Sequence, residues 1–365
     1  MTLDDLPTPC LVLDRTIMTR NIARMAEAVG RHSVALRPHM KTAKSIDVAR
    51  LALEGQPGGI TVSTLAEAEY FSAHGVSDIL YGVGITPQKL DQVAKLNAAG
   101  AQIIVITDDA DTATAIAAHP QPPHTLIEID TGESRGGVAS DSDMLLDIAE
   151  RLGPRLAGVM THAGHSYGAE SIGEISRIAE HERAGVVQAA ERLRGVGHVV
   201  PIVSMGSSPT ALHAVALSGI TEVRAGVYMF GDLFQAEIAT HGLDDIAVTV
   251  LTSVIGRRPG RLLVDAGGLA LSKDRSTEGR EKDYGFGLAL DLAGRRSYGD
   301  AIVRRAYQEH GVVELDPERP AALKVGDKLR IAPNHTCMTA AAHDRYHVVD
   351  AGENVVAVWP RVNGW

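Results

Sequence analysis

The sequence predicts an α/β protein in two parts: a (β/α)8 barrel over residues 15–242, and an all-β domain made of residues 1–14 with 243–365. Three observations predict it. Short β-branched runs alternate strictly with amphipathic helical stretches as far as about residue 225. After Leu243 the helical period stops and further strand-like runs follow one another. The 365 residues are also enough for a barrel of about 250 residues plus a smaller appendage.

Taken in order, Cys10–Leu13 reads as a strand but precedes the first barrel helix, Thr16–Val29. It therefore most economically joins the C-terminal β domain, which places the two termini together. The eight barrel strands are expected at Ser33–Arg37, Gly59–Ser63, Asp78–Tyr81, Gln102–Thr107, Thr125–Asp130, Leu156–Thr161, Val199–Met205 and Thr221–Ala225. Between them lie helical patterns at Thr42–Leu53, Leu65–His74, Pro87–Ala99, Asp109–Ala118, Ser142–Arg151, Ser171–Arg194 and Pro209–Ala216. Most open on Ser, Thr, Asp or Pro, which cap the first backbone N–H groups or lack one to cap. Strict alternation implies a parallel sheet, and eight units close naturally into a barrel. Beyond it, Ile246–Ile255, Leu262–Val264, Lys328–Ile331, Tyr346–Val349 and Val355–Trp359 read as strands.

The composition is that of an ordinary globular protein, with 45% hydrophobic and 22% charged residues. A net charge of −10 and the absence of any Lys/Arg run argue against a nucleic-acid partner, whose phosphates require a basic face. No apolar run approaches the ~18 residues of a membrane span. Met1–Asp5 is acidic and shows no signal-peptide pattern, and Cys10 and Cys337 lack disulfide-framework spacing. A soluble cytoplasmic protein is expected, with no nucleic acid and no membrane among its partners.

In such barrels the loops beyond the carboxyl ends of the strands carry the chemistry. Here that rim holds Pro38-His39-Met40-Lys41, Thr131 to Arg135, His162 to Tyr167, Gly206-Ser207-Ser208 and Gly226-Val227-Tyr228. The Gly206-Ser207-Ser208-Pro209 turn and the Ala225-Gly226-Val227 turn follow strands seven and eight, where barrel enzymes commonly bind phosphate through backbone N–H groups. Alone, the first turn reads equally as a helix cap. A lysine in the position of Lys41 reaches the mouth and, if partly desolvated, forms a Schiff base with an aldehyde cofactor; otherwise it is a solvated surface residue. The two together point to pyridoxal 5'-phosphate.

Several stretches carry a family resemblance. Leu36-Arg37-Pro38-His39-Met40-Lys41-Thr42, Gly59 to Ala68, Thr161-His162-Ala163-Gly164, Ser204-Met205-Gly206-Ser207-Ser208-Pro209-Thr210, Gln308-Glu309-His310-Gly311 and Pro333-Asn334-His335-Thr336-Cys337 are similar to the eukaryotic-type D-serine dehydratase family. That group has the alanine-racemase fold (fold type III) and includes D-threo-3-hydroxyaspartate dehydratases, with the D-threonine aldolases as relatives. The resemblance runs to the terminal Asn363-Gly364-Trp365. It implies that Lys41 bears the cofactor, that His162 lies against its ring, and that Arg135 and Tyr167 reach its polar edge. Ser207, Gly226 and Val227 would hold the phosphate, with Gly206 and Tyr228 nearby, and His39, Gln308 and His310 are candidate substrate contacts.

His335 and Cys337 form a second constellation. In an extended segment residues two apart share a side, so imidazole and thiolate converge on one ion, with zinc the best match and manganese or another divalent metal the alternative. His-x-Cys is a weak signal whose weight comes from the family. His343 and His347 are expected at the surface.

The reaction so implied is β-elimination from a D-3-hydroxy amino acid: D-threo-3-hydroxyaspartate, D-serine or D-threonine. Lys41 removes the α-proton, the cofactor takes up the electron pair, and the metal draws off the hydroxyl, leaving a 2-oxo acid and ammonia. The alternative is aldolase-type cleavage to glycine and an aldehyde. The D-threonine aldolases carry an Asp in place of the thiolate and a Gly-rich turn where this chain has Gly206-Ser207-Ser208-Pro209, which favours the dehydratase branch. Racemisation needs a second acid/base where the metal would sit, and the small carrier-type proteins of this fold lack the β domain. Stretches such as Gly219 to Gly226 and Asp283 to Gly287 look most like the D-threo-3-hydroxyaspartate dehydratases. The fold type also implies a head-to-tail homodimer.

Overall fold

Leu156–Thr161 is buried at every position, as expected of a strand covered on both faces. The same holds for Ile60–Val62 and Glu222–Ala225. The computed structural model describes residues 1–319 and 322–365. They divide into two units, Arg24–Gly226 with Val362–Trp365, and Met1–Ala23 with Val227–Arg361.

The chain opens with β1 (Cys10–Asp14) and α1 (Arg15–Gly30). The first-named unit then alternates β2 (Ala35–Pro38), α2 (Ile46–Leu53), β3 (Ile60–Val62), α3 (Leu65–Ala73), β4 (Asp78–Gly84), α4 (Leu90–Ala98), β5 (Gln102–Thr107), α5 (Ala110–Ala118) and β6 (Thr125–Asp130). It continues with a two-residue β7 (Val138–Ala139), α6 (Asp143–Leu152), β8 (Leu156–Thr161), α7 (Ile172–Gly195), β9 (Ile202–Met205), α8 (Ser208–His213) and β10 (Glu222–Ala225). The sheet is parallel in the order β2-β10-β9-β8-β6-β5-β4-β3, with β7 appended to β6. Its two edge strands meet at one bridge, His39 to Thr61, so the eight-stranded barrel is nearly closed. Leu80, Ile106, Leu126, Ala157 and Met160 form one of its apolar clusters.

Two boundaries differ from expectation for a local reason. The helix expected from Thr42 starts only at Ile46, because residues 40–43 form a turn closed by Lys44, which takes φ +49°. Val199–Pro201 is not strand, and β9 begins after the proline, which has no N–H for a ladder.

The other unit continues with α9 (Leu233–Glu237), β11 (Val248–Arg258), β12 (Arg261–Val264), α10 (Gly268–Leu271), β13 (Leu288–Leu290), β14 (Ile302–Ala306), β15 (Gly311–Glu314), β16 (Lys328–Ala332), α11 (Thr336–Ala340), β17 (Arg345–Val349) and β18 (Val355–Pro360). The strands run in the order β12-β15-β14-β13-β16-β11-β1-β17-β18, and a further β11–β12 pairing closes six of them into a ring. β1 pairs antiparallel with β11 and parallel with β17. Leu233, Ile246, Tyr284, Leu288, Leu290, Ile302 and Ala332 pack together in this unit. No helix among the described residues is long and apolar enough to cross a membrane.

Candidate active site

Lys41 lies in the turn after β2, and its backbone neighbours are held from three directions. The His39 N–H donates to Ala225 O at 2.7 Å, Met40 N–H to Thr61 O at 2.8 Å, and Lys44 N–H to Met40 O at 2.7 Å. The Lys44 ammonium pairs at 2.9 Å with the fully buried Glu67, which also takes the Ser63 N–H and the Thr64 hydroxyl. Lys44 O accepts from Val362 N–H at 2.8 Å. The turn is therefore rigid while the Lys41 side chain itself is exposed.

Two imidazoles stand by that amine. Burial, and then the charges of Lys41 and Arg224, hold His39 well below the ordinary histidine range. The same burial, with Lys41 next in weight, brings His162 down to about 3. Nδ1 of His162 lies 2.9 Å from Gly206 O. A carbonyl only accepts, so the proton sits on Nδ1 and the imidazole is neutral.

The loop after β6 is shaped by Asp130, whose carboxylate takes the N–H groups of Gly132 and Ser134, and it is tied to the His162 loop by Gly164 N–H donating to Glu133 at 3.1 Å. Arg135 on this loop has its side chain 58% exposed, 3.4 Å from Glu133 and 3.9 Å from Glu128. Tyr167 is half-buried on the 3-10 turn Gly164–Gly168. Ser166 of that turn meets Ser207 hydroxyl to hydroxyl at 2.9 Å. Ser207 caps α8: its Oγ accepts the Thr210 N–H, and Thr210 Oγ1 accepts the Ser207 N–H. Gly226 must be glycine, because a Cβ there would lie 2.8 Å from His39 O. Lys41, His39, His162, Arg135, Tyr167, Gly206, Ser207 and Gly226 thus share one rim, and an aldehyde cofactor with a phosphate fits their donor set: an amine, neutral imidazoles and tight glycine turns. Val227 and Tyr228 continue the chain on a buried turn counted with the other unit, where burial pushes the Tyr228 phenol up.

In that other unit His335 does not lie in an extended segment with Cys337, which corrects the geometric argument drawn from sequence. His335 is the N-cap of α11, and Cys337 lies in the helix's first turn. The two still converge: from the extended cap position (φ −139°) the His335 imidazole hydrogen-bonds with the Cys337 side chain. His335 Nδ1 lies 3.1 Å from Asp274 Oδ2. Burial alone would lower His335, but the hydrogen bonds to Asp274 and Cys337 outweigh it and raise its pKa to about 11. Burial would raise Asp274, yet its bonds to His335 and Ser276 bring it to about 2.

The segment is well fixed. Asp232 accepts the N–H groups of Gln235 and Thr336, and the Thr336 hydroxyl donates to Gly231 O at 2.6 Å. Asn334 bridges Gly285 O and Thr277 N–H. Imidazole and thiol side by side, with a carboxylate orienting the imidazole, form a donor set that fits a divalent metal such as zinc. No group of three or more His, Cys, Asp or Glu with metal-site geometry occurs among the described residues.

Gln308 and His310 are exposed on the β14–β15 turn, and among the described residues neither side chain bonds to the His335–Asp274 pair. His343 is less superficial than expected, half-buried with Nε2 3.0 Å from Ala270 O, and His347 is half-buried within β17.

Residues 13–233 match the model of the alanine racemase N-terminal domain. The chain belongs to the alanine racemase-like family. Residues 247–349 of this family member match a serine dehydratase domain. The chain is 44% identical to the D-threo-3-hydroxyaspartate dehydratase of Delftia sp. (strain HT23), over 100% of this chain and 99% of that one. The solved structure of that enzyme superposes with a TM-score of 0.95 and full coverage of both chains, at 43% identity. A D-threo-3-hydroxyaspartate dehydratase has also been solved as a cysteine-to-alanine mutant in a metal-free form. A 3-hydroxy-D-aspartate aldolase of Paracoccus denitrificans is 31% identical over 98% of this chain and 92% of its own.

Two groups in this alanine racemase-like chain escape a reading by motif. Asp274 lies 61 positions before His335, in a loop without local pattern. Glu182 looks like one more polar residue of α7, although its place on the buried stripe of Ile175, Ala179, Val186 and Leu193 is a signal that it faces inward.

Proposed function

We propose that this chain is a pyridoxal 5'-phosphate- and divalent-metal-dependent D-amino-acid dehydratase, removing the β-hydroxyl of a D-3-hydroxy amino acid to give a 2-oxo acid and ammonia. D-threo-3-hydroxyaspartate is the first candidate substrate, followed by D-serine and D-threonine. The observation that carries this reading is the full-length match to a D-threo-3-hydroxyaspartate dehydratase by a chain that has both the Lys41 rim and the His335–Cys337 pair.

Bound at the barrel mouth, the cofactor supplies an electron sink for the pair left on Cα. Lys41 would anchor it through Nζ and is the amine placed to serve as base toward the Cα proton; the rigid turn keeps that amine aimed at one place. His162, a neutral imidazole, would lie against the ring, and Arg135 and Tyr167 would reach its polar edge. By the family resemblance Ser207, Gly226 and Val227 would hold the phosphate, with Gly206 and Tyr228 nearby, and His39, Gln308 and His310 are the candidate substrate contacts. His335 and Cys337 would hold zinc or manganese, which would supply Lewis acidity for a poor leaving group, with Asp274 orienting His335. The protein is a head-to-tail homodimer, and a reducing, cytoplasmic setting suits the Cys337 thiol.

The aldolases among the relatives favour one second reading, retro-aldol cleavage to glycine and an aldehyde. Incubation with the three D-amino acids, with and without a chelator, separates the two. Chelator-sensitive 2-oxo acid and ammonia support the dehydratase, and glycine as main product overturns it. Protein that stays colourless with added pyridoxal phosphate overturns both.

A further inference from the structure

The inward stripe of α7 is apolar except for Glu182, which has no exposed surface. A carboxylate in a core is strongly disfavoured unless it satisfies other groups. Here Oε1 accepts two backbone N–H groups, from Ala163 at 2.9 Å and from Gly206 at 2.9 Å. These amides belong to different loops, the one after β8 and the one after β9. Ala163 follows His162, and Gly206 precedes Ser207. The Gly206 carbonyl in turn takes the Nδ1–H of His162 at 2.9 Å, so the contacts close a ring through Glu182, Ala163, His162 and Gly206. Thr210, beside the same carboxylate, accepts the Ser207 N–H at 3.0 Å. Gly206 takes φ +131° where a Cβ would come within 2.4 Å of Arg224 O, so its peptide follows a path that other residues cannot take.

We propose that Glu182 is the positioning residue of the barrel mouth: by accepting both N–H groups it fastens the two loops together and holds His162 as the Nδ1–H tautomer. The role in catalysis rests on the cofactor reading above, whereas the tautomer does not. Burial pushes the Glu182 carboxyl up to about 7, opposed by the bonds from Thr210, Gly206 and Ala163, in keeping with a carboxylate retained for its acceptor geometry.

The test compares wild type with Glu182→Ala, Glu182→Asp and Glu182→Gln. Gln keeps a carbonyl for the two donors, Asp withdraws the acceptor from both, and Ala removes it. In cofactor-free protein labelled with 15N-histidine, His162 is assigned by its disappearance in His162→Gln. Wild type and Glu182→Gln are expected to show the neutral Nδ1–H pattern, while Ala and Asp lose it. After loading, Ala and Asp should shift the cofactor absorbance and lower kcat by roughly 100-fold with a smaller change in KM, and Gln should restore both. Normal His162 shifts and normal kcat in folded Ala or Asp protein overturn the proposal, even if Tm falls, since that is a structural role alone. If Ala does not fold, Asp decides. Wild type that takes no pyridoxal phosphate overturns the cofactor reading, and the 15N pattern still decides the role of Glu182.

Discussion

His162 and His335 are the same residue put to opposite uses. At the barrel mouth, burial and the nearby lysine keep His162 neutral, with a pKa near 3 and its Nδ1 anchored on a backbone carbonyl. In the β unit, Asp274 and Cys337 overcome the burial penalty and raise the pKa of His335 to about 11. Both are partly buried, so burial does not separate them; the charge of the nearest partner does. Burial, with a lysine next in weight, keeps the first ring neutral and suited to packing on a cofactor, and a carboxylate beside the second orients its imidazole.

The largest expected effect comes from breaking the first region. Lys41→Ala should abolish the cofactor's absorbance band and, from the loss of the base alone, lower 2-oxo acid formation on the order of 10²–10⁴-fold. Metal content should be unchanged, as inductively coupled plasma analysis of the same samples would show. Loss of metal together with the band would mean that the two regions do not act as separate sites.

Breaking the second region should give the mirror result. His335→Ala and Cys337→Ala are expected to lose bound metal and activity while keeping the absorbance band. Asp274→Asn retains both donors but not the charge that orients His335, so a 10- to 100-fold weaker metal affinity is expected, measured by chelator competition. An unchanged affinity would show that the 3.1 Å contact does not tune the site.

The two regions also differ in how far they are legible in sequence. Lys41, His162, Ser207 and Gly226 can be placed at one rim because barrel strands end in register, so a residue just past a strand is at the mouth whatever its neighbours. The His335–Cys337 pair is chosen correctly as neighbours but for a mistaken reason, since a helix cap and not a strand brings them together. Asp274 is not legible at all, because only the folded β unit carries it to His335. Strands β13 to β15 are missed for a related reason: three to five residues are too few to show a period of two, and their pairing comes from partners far along the chain.

The smallest effect concerns stability against pH and sharpens the contrast within the barrel itself. His162 is protonated in the unfolded chain below about 6.5, but in the folded chain only below about 3. The unfolded state therefore holds one more proton across that window, and this residue makes stability fall as pH drops from 6.5 toward 3. Glu182 acts in the opposite sense. Its folded value of about 7 exceeds the ordinary 4.5, so the folded state holds the extra proton and stability falls as pH rises from 4.5 through 7. Urea unfolding of cofactor-free protein at stepped pH should show His162→Gln less acid-sensitive by close to one proton, and Glu182→Gln flatter by a similar amount toward neutral pH. Between 4.5 and 6.5 the two slopes oppose one another, so the double variant should track wild type there and depart from it only outside. Slopes of the same sign for the two single variants would mean that one of these groups is not buried in the state its neighbours impose.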